Sequence, residues 1–324
     1  MRLHLNEFPT GYPLSPRVNE AVDRYNFRDD LNCYPEGQPP ELIKELAAHL
    51  GVKEENLLIT CGSSEALYLA FRAFFIGKKD VLMSDVTWGQ YKFMGTELGI
   101  NFKEVPLRDD FTMNPDDYQG GGGALIANPN ANTGLALSKS NIEKIIKNNP
   151  NSIVIIDEAY ADYSNEESVV PLIKKYPNLI VMQTFSKGYP LASRRVGYAI
   201  GNAELISKFI ATKNAINERS TSTFACGLAL ACLRDNAHYK KLRDEIIETR
   251  EWVTKQLNGI PSQGNFVSVK FESEKKALEV QAYLKSHGIL VRHVPEQPRI
   301  TSFLRFGIGT RQEMERVVEL LKSM

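Results

Sequence analysis

Four short polar runs could do chemistry in this sequence: Gly62-Ser63-Ser64, Asn128 to Gly134, Asp157-Glu158-Ala159-Tyr160 and Thr184-Phe185-Ser186-Lys187. Lys187 is the candidate nucleophile. A lysine amine condenses with a carbonyl only when burial or a cationic neighbour depresses its pKa. Lys187 follows an apolar strand and precedes Arg195, so both conditions are within reach. An isolated lysine of this kind is ordinarily a solvated loop residue; its neighbours reverse that reading. Asp157 ends an Ile-rich run, where a carboxylate is costly unless paired. A protonated ring nitrogen is one such partner, and a salt bridge or a cap is the plainer one. Tyr160 lies within reach of a ring hydroxyl, although a lone tyrosine is more often a packing residue. Gly62-Ser63-Ser64 combines hydroxyls with the free N–H groups of a helix start, which suits a phosphate; a simple N-cap reads the same way. Thr184, Ser186 and Arg195 would complete that cup from a second loop, Arg because its planar fork matches phosphate oxygens. Trp88 follows a strand and could stack on a flat ring or simply fill the core.

The elements that must position these residues alternate between strand and helix. Glu41 to Leu50 has helical spacing with Gly51 as its stop. Leu57 to Cys61 reads as a strand, and the helix from Gly62 through Phe75 ends at Gly77. Asp80 to Ser84, Ala124 to Ala127, Leu179 to Thr184 and Val196 to Ile200 read as strands. Ser138 to Lys147 reads as a helix capped by Ser138 or Ser140. Ile153 to Asp157 is an unbroken apolar strand of the kind buried on both faces. This alternation predicts an α/β fold, with a mostly parallel sheet covered by helices on both faces. In such sheets ligands bind beyond the carboxyl ends of the strands, where the four polar runs sit. The first 40 residues read as an extended arm and loops. After Ile216 come a long helical stretch, Ser222 to Leu257, and strands at Asn265–Lys270, Ile289–His293 and Phe303–Ile308. Helices near Lys275–His287 and at the end complete that part. The division is an arm over 1–35, a large domain over 36–215 and a smaller α+β domain over 216–324, to which the arm adds. Gly120 to Gly123 reads as a flexible turn.

Bulk properties exclude several classes. Lys plus Arg equals Asp plus Glu at 39 each, so no net field favours nucleic acid or an anionic membrane. No apolar run of membrane-spanning length occurs, and Met1 to Glu7 lacks the core of a signal peptide. The four cysteines form no C-x-x-C pair and the five histidines no H-E-x-x-H motif, so neither metal nor disulfide is expected. Free thiols suit a reducing cytoplasm.

Taken together, the runs resemble the pyridoxal phosphate enzymes of the aspartate aminotransferase fold class, most of all the histidinol-phosphate aminotransferases. Thr184-Phe185-Ser186-Lys187 with Arg195 is similar to that family's lysine loop, and Asp157-Glu158-Ala159-Tyr160 to its D-E-A-Y. Asn128 to Gly134 resembles N-P-N-N-P-T-G. Tyr34-Pro35-Glu36, Asn265-Phe266, Ile289 to Arg292 and Leu304 to Thr310 match in the same order. The resemblance implies pyridoxal 5'-phosphate as a Schiff base on Lys187, which also shuttles the substrate proton. It implies that Asp157 pairs the pyridine nitrogen, that Tyr160 and Asn130 contact the ring oxygen, and that Trp88 stacks on the ring. Ser63, Ser64, Thr184, Ser186 and Arg195 would hold the cofactor phosphate. Tyr34 would reach the phosphate of a neighbouring subunit in a homodimer with shared sites. Arg292 and Arg305 would grip the anionic end of the substrate, with Phe8 at the same subsite.

The sequence departs from the family in places. Ala131 stands where an asparagine is usual, and Asn132 replaces the proline. Phe8 replaces a tyrosine that binds substrate phosphate. Asn217 to Ser220 and Lys187 to Pro190 also differ. The function implied is histidinol-phosphate:2-oxoglutarate amino transfer by a ping-pong route. A sibling aminotransferase or a threonine-phosphate decarboxylase would use the same cofactor site. A non-catalytic cofactor-binding module is a more distant reading. A dinucleotide enzyme is disfavoured, because no G-x-G-x-x-G follows the first strand.

Overall fold

The computed structural model describes residues 1–25 and 32–324. Its main sheet contains β1 (Leu57–Cys61), β2 (Val81–Ser84), β3 (Phe102–Val105), β4 (Gly123–Ala127), β5 (Ile153–Asp157), β6 (Leu179–Thr184) and β7 (Val196–Gly201), in the order β1-β7-β6-β5-β4-β2-β3. β2 pairs in parallel with β3 and β4, and β5 with β4 and β6, while β7 is antiparallel to both β6 and β1. With β7 alone reversed, the carboxyl ends of β1, β4, β5 and β6 share one edge. A second, antiparallel sheet has the order β8-β10-β9, from β8 (Phe266–Lys270), β9 (Arg292–His293) and β10 (Phe303–Gly307). The helices are α1 (Pro16–Tyr25), α2 (Pro40–Leu50), α3 (Gly62–Ala70), α4 (Gln90–Glu97), α5 (Lys139–Asn148), α6 (Ala203–Asn217), α7 (Thr223–Arg234), α8 (Asn236–Leu257), α9 (Glu274–Ser286) and α10 (Arg311–Lys322).

Strand alternation divides the core between two layers, since successive side chains point to opposite faces. Ile59, Val154, Ile156 and Val181 face the layer formed with α5, α7 and α8. Leu58, Ile155, Ile180 and Met182 face α3, α4 and α6. This is the α/β architecture that the alternation predicts. The N-terminal arm joins the second sheet: Leu3 N–H donates to Leu290 O at 2.9 Å, and Gly307 N–H donates to Leu3 O at 2.7 Å. Among the described residues, no helix is long and apolar enough to cross a membrane.

Several expectations change. The arm contains a helix, α1, which is hard to read because Val18 is the one fully buried apolar side chain among its described ones. The stretch Ser222–Leu257 is two helices, broken at Asp235, whose carboxylate pairs with Arg17 at 2.8 Å. β3, α4 and α6 have no counterpart in the sequence reading. β3 lies at the sheet edge, and its exposed Lys103 and Glu104 blur the strand pattern. β9 is shorter than Ile289–His293. Residue 215 falls inside α6. The glycine run is a close-packed turn rather than a flexible one: Gly122 N–H donates to Asp80 O at 2.9 Å, and a Cβ at Gly121 would press on Leu82 and Asp80 O.

Candidate active site

The shared carboxyl edge opens into a cavity of about 790 Å3, a size suited to a small ligand. Lys187, Asp157, Tyr160, Ser63, Ser64, Trp88, Thr184, Ser186, Arg195, Arg292 and Arg305 all line it. The sheet register explains this convergence. Gly197 of β7 lies opposite both Thr60 of β1 and Thr184 of β6, so the Ser63 and Ser186 loops flank Arg195.

At the cup, α3 starts directly at the end of β1, leaving its first N–H groups without intrahelical partners. Gly62 has φ +75°, and a Cβ there would overlap the Arg195 guanidinium. A Cβ at Gly197 would strike the Ser63 nitrogen. Arg195 itself takes the left-handed conformation, φ 55° and ψ 57°, unusual for a non-glycine residue and typical of functional positions. Its Nη1 donates to Ala192 O at 3.1 Å and to Ser186 Oγ at 3.4 Å. Thr184 Oγ1 lies 3.0 Å from Ser186 Oγ. One cation, clustered hydroxyls and helix N–H groups make a donor set fitted to a phosphate dianion.

Asp157 is buried at the end of β5. Tyr91 Oη donates to its Oδ2 at 2.6 Å, and Ala159 N–H donates to Oδ1 at 3.1 Å. Burial pushes its carboxyl pKa up, against those two hydrogen bonds and the charge of Lys187. Neighbouring Glu158 is also buried but turns away, accepting from Ser168 Oγ at 2.6 Å, Val169 N–H at 2.7 Å and Gln183 Nε2 at 2.7 Å. Of this pair, Asp157 is therefore the carboxylate that faces the cavity, with capacity for a cationic ring nitrogen.

Lys187 follows β6, and its carbonyl accepts from Tyr163 Oη at 2.7 Å. Its Nζ donates to Leu5 O at 2.7 Å and Asn6 O at 3.1 Å, and lies 5.7 Å from the Tyr160 ring centroid. Burial depresses the amine pKa. The Arg305 and Arg195 charges add to that, against Tyr160 and Glu7. Both burial and cationic neighbours surround the amine, with Arg305 acting ahead of Arg195. Trp88 forms a cavity wall, edge-on to Tyr91 with centroids 5.3 Å apart.

Arg292 and Arg305 sit opposite one another across β9 and β10. Like charges so placed repel. Arg292 pairs with Glu296 at 3.2 Å. Arg305 is stacked on Phe266 and donates to Ala131 O at 2.7 Å, Asn132 Oδ1 at 3.1 Å and His4 O at 3.3 Å. Its Nε is buried with no partner, a donor left for an anion.

Three sequence-predicted residues are not brought into the cavity. Asn130 spends its amide on the loop: Nδ2 donates to Val86 O at 2.8 Å, and Oδ1 accepts from Asn132 N–H at 2.9 Å and Thr133 N–H at 3.0 Å. Asn132 lines the wall instead, with Nδ2 donating to Gln297 Oε1 at 2.9 Å. Phe8 packs in the core, edge-on to Tyr12 and Tyr239, because without a hydroxyl its ring gains only from burial. Tyr34 is 87% exposed and does not line this chain's own cavity. Sequence reading missed Tyr91 and Asn6. Tyr91 sits three residues beyond Trp88, a helical spacing that could have flagged it; Asn6 carried no local signal.

The chain matches the family model "Aminotransferase class I and II" over residues 1–321. It is 38% identical to the histidinol-phosphate aminotransferase of Acinetobacter baylyi, over 99% of this chain and 90% of that protein. The same-named protein of Clostridium botulinum is 36% identical, over 100% and 92%. Among solved structures, an aminotransferase from Erwinia carotovora atroseptica superposes with a TM-score of 0.87 at 27% identity, covering 100% of this chain and 95% of that one. The histidinol-phosphate aminotransferase of Clostridium acetobutylicum, at 22% identity, shares the fold with a TM-score of 0.89 over 100% of this chain and 98% of that one. With the lysine, aspartate and arginine converging in one cavity and the match running almost end to end, the chain belongs to the class I and II aminotransferases.

Proposed function

We propose that this protein transfers an amino group from histidinol phosphate to 2-oxoglutarate, using pyridoxal 5'-phosphate in the cavity described above. The carrying observation is the opposed pair Arg292 and Arg305, with a buried Nε donor unspent, beside a depressed-pKa lysine. Bound there, the cofactor supplies an aldehyde and an electron sink for the two half-reactions. Arg195, Ser186, Thr184 and the N–H groups at Ser63 and Ser64 would hold its phosphate. Asp157 would hold the proton on the ring nitrogen, and Tyr160 would donate to the ring oxygen. Lys187, neutral more readily than an ordinary lysine, would take the proton from the substrate carbon and return it. Two arginines on adjacent strands suit a phosphate or carboxylate terminus, and the names of the relatives favour the phosphorylated amine.

The same reading includes a homodimer. Tyr34 is an exposed aromatic that does not line its own cavity, as a residue serving a partner's site would be. It also includes the division into an arm, a large domain and a small domain, and a reducing compartment suited to four free thiols.

Mixing the yellow, cofactor-loaded protein with candidate amines tests the reading. Histidinol phosphate should bleach the visible band far faster than glutamate or aromatic amino acids, and Lys187→Ala should show no such turnover. Equal rates for all amines would remove the substrate assignment; no bleaching by any amine would remove amino transfer itself.

A further inference from the structure

Asn6 touches both reacting groups of the cavity without lining it. Its side chain is buried. Nδ2 donates to the Tyr160 hydroxyl at 3.1 Å, and the Asn6 backbone carbonyl accepts from Lys187 Nζ at 3.1 Å and from Asn265 Nδ2 at 3.0 Å. Its backbone is left-handed, with φ 52°, a conformation asparagine tolerates better than most residues. On the other side of Tyr160 the wall is apolar: Ala131 and Phe266 cluster with it. Among the described residues, Asn6 is therefore the one hydrogen-bond partner of that hydroxyl.

A phenol has one proton to donate and lone pairs to accept. An N–H directed at the oxygen occupies a lone pair and leaves the proton free. We infer that Asn6 is a positioning residue, whose amide N–H fixes Tyr160 as a donor toward the ring oxygen of the cofactor. This rests on the cofactor reading given above. The consequence is a change in the chromophore's acid–base behaviour. A donor at the ring oxygen stabilises the deprotonated chromophore, in which that oxygen's negative charge is bare, and so lowers the pH midpoint of the visible band. The titratable and charged groups around Tyr160 are Lys187 beyond β6, Arg305 on β10, Asp157 on β5 and Tyr91 on α4. Asn6→Gly replaces none of these groups and keeps the backbone carbonyl that accepts from Lys187 Nζ.

Asn6→Gly removes the amide and suits the left-handed backbone. The test is a pH titration of the visible band in wild type, Asn6→Gly, Tyr160→Phe and the double variant. Loss of a neutral hydrogen bond should raise the midpoint by about 0.5 to 1 pH unit in Asn6→Gly. In the Tyr160→Phe background the same change should add nothing. An unchanged midpoint overturns the proposal. So does a fall, which would mean that Tyr160 donates to Asn6, and so does an equal rise with Tyr160 removed. If Asn6→Gly fails to load, Asn6→Asp keeps the side-chain shape but offers only acceptors; its midpoint should rise, and an unchanged one overturns the role. A wild type that forms no visible band with pyridoxal phosphate sinks the cofactor reading, whereas a titrating wild type with a silent Asn6→Gly sinks this proposal alone.

Discussion

Tyr91→Phe tests the electrostatics of the site most directly. It deletes a single oxygen, the donor lying 2.6 Å from Asp157 Oδ2, both side chains being buried at the cavity wall. That length is in the range of charge-assisted O–H···O⁻ bonds. Such a bond is worth about 1.5–3 kcal/mol, or roughly ten- to a hundredfold in an equilibrium constant. The loss falls unequally on the two states. Without cofactor, Asp157 can answer the missing donor by keeping a proton, because burial already raises its pKa. With cofactor bound, its charge is needed on the ring nitrogen. Most of the lost energy should therefore appear as weaker binding, with the dissociation constant of pyridoxal phosphate rising at least about tenfold. Turnover should fall as well, because the proton resides less on the ring. Fluorescence titration of cofactor into the apo protein gives the first quantity, and steady-state amino transfer the second. A Tyr91→Phe protein that binds and turns over within twofold of wild type would refute the claim that Tyr91 sustains the Asp157 charge.

Gly62→Ala should cost cofactor affinity about tenfold or more, since its Cβ meets the Arg195 guanidinium. Gly51→Ala is the control, equally left-handed at φ 65° but in open space, and should lower the melting temperature while leaving affinity alone. The pH dependence of loading reports on Lys187. Its amine is the free base above a depressed pKa, so the loading rate should rise with pH and level off earlier than for an ordinary lysine. Arg305→Met removes a charge that lowers this pKa and should move the midpoint to higher pH; an unmoved midpoint would leave burial and Arg195 as the causes. Arg292→Ala should weaken a phosphorylated amine much more than a simple amino acid, as read from KM for each. Equal effects would undercut the phosphate assignment.

The candidate site was legible from sequence where its signals are local. Lys187, Asp157, Tyr160, Ser63, Ser64 and Arg195 stand at fixed offsets from apolar runs, and a strand's carboxyl end is defined by where its run stops. Elements with weak burial were not legible: β3 at the sheet edge, and α1, among whose described side chains Val18 is the one fully buried apolar residue; the break at the single residue Asp235 was also missed.

Residue types and their order along the chain determined the alternating architecture, the lysine and the aspartate, because hydrophobic periodicity and strand-end chemistry are short-range properties. Only the tertiary structure decided which side chains meet. It returned the first three residues to the second sheet and with them placed Asn6 on Tyr160 and the Leu5 carbonyl on Lys187. It set Tyr91 beneath Asp157, faced Arg292 with Arg305, spent Asn130 on its own loop and buried Phe8 away from the cavity. These contacts join segments far apart in sequence, and no local pattern encodes them. They follow from packing, which selects one arrangement of buried polar groups because leaving such groups unpaired costs more than ordering the chain around them.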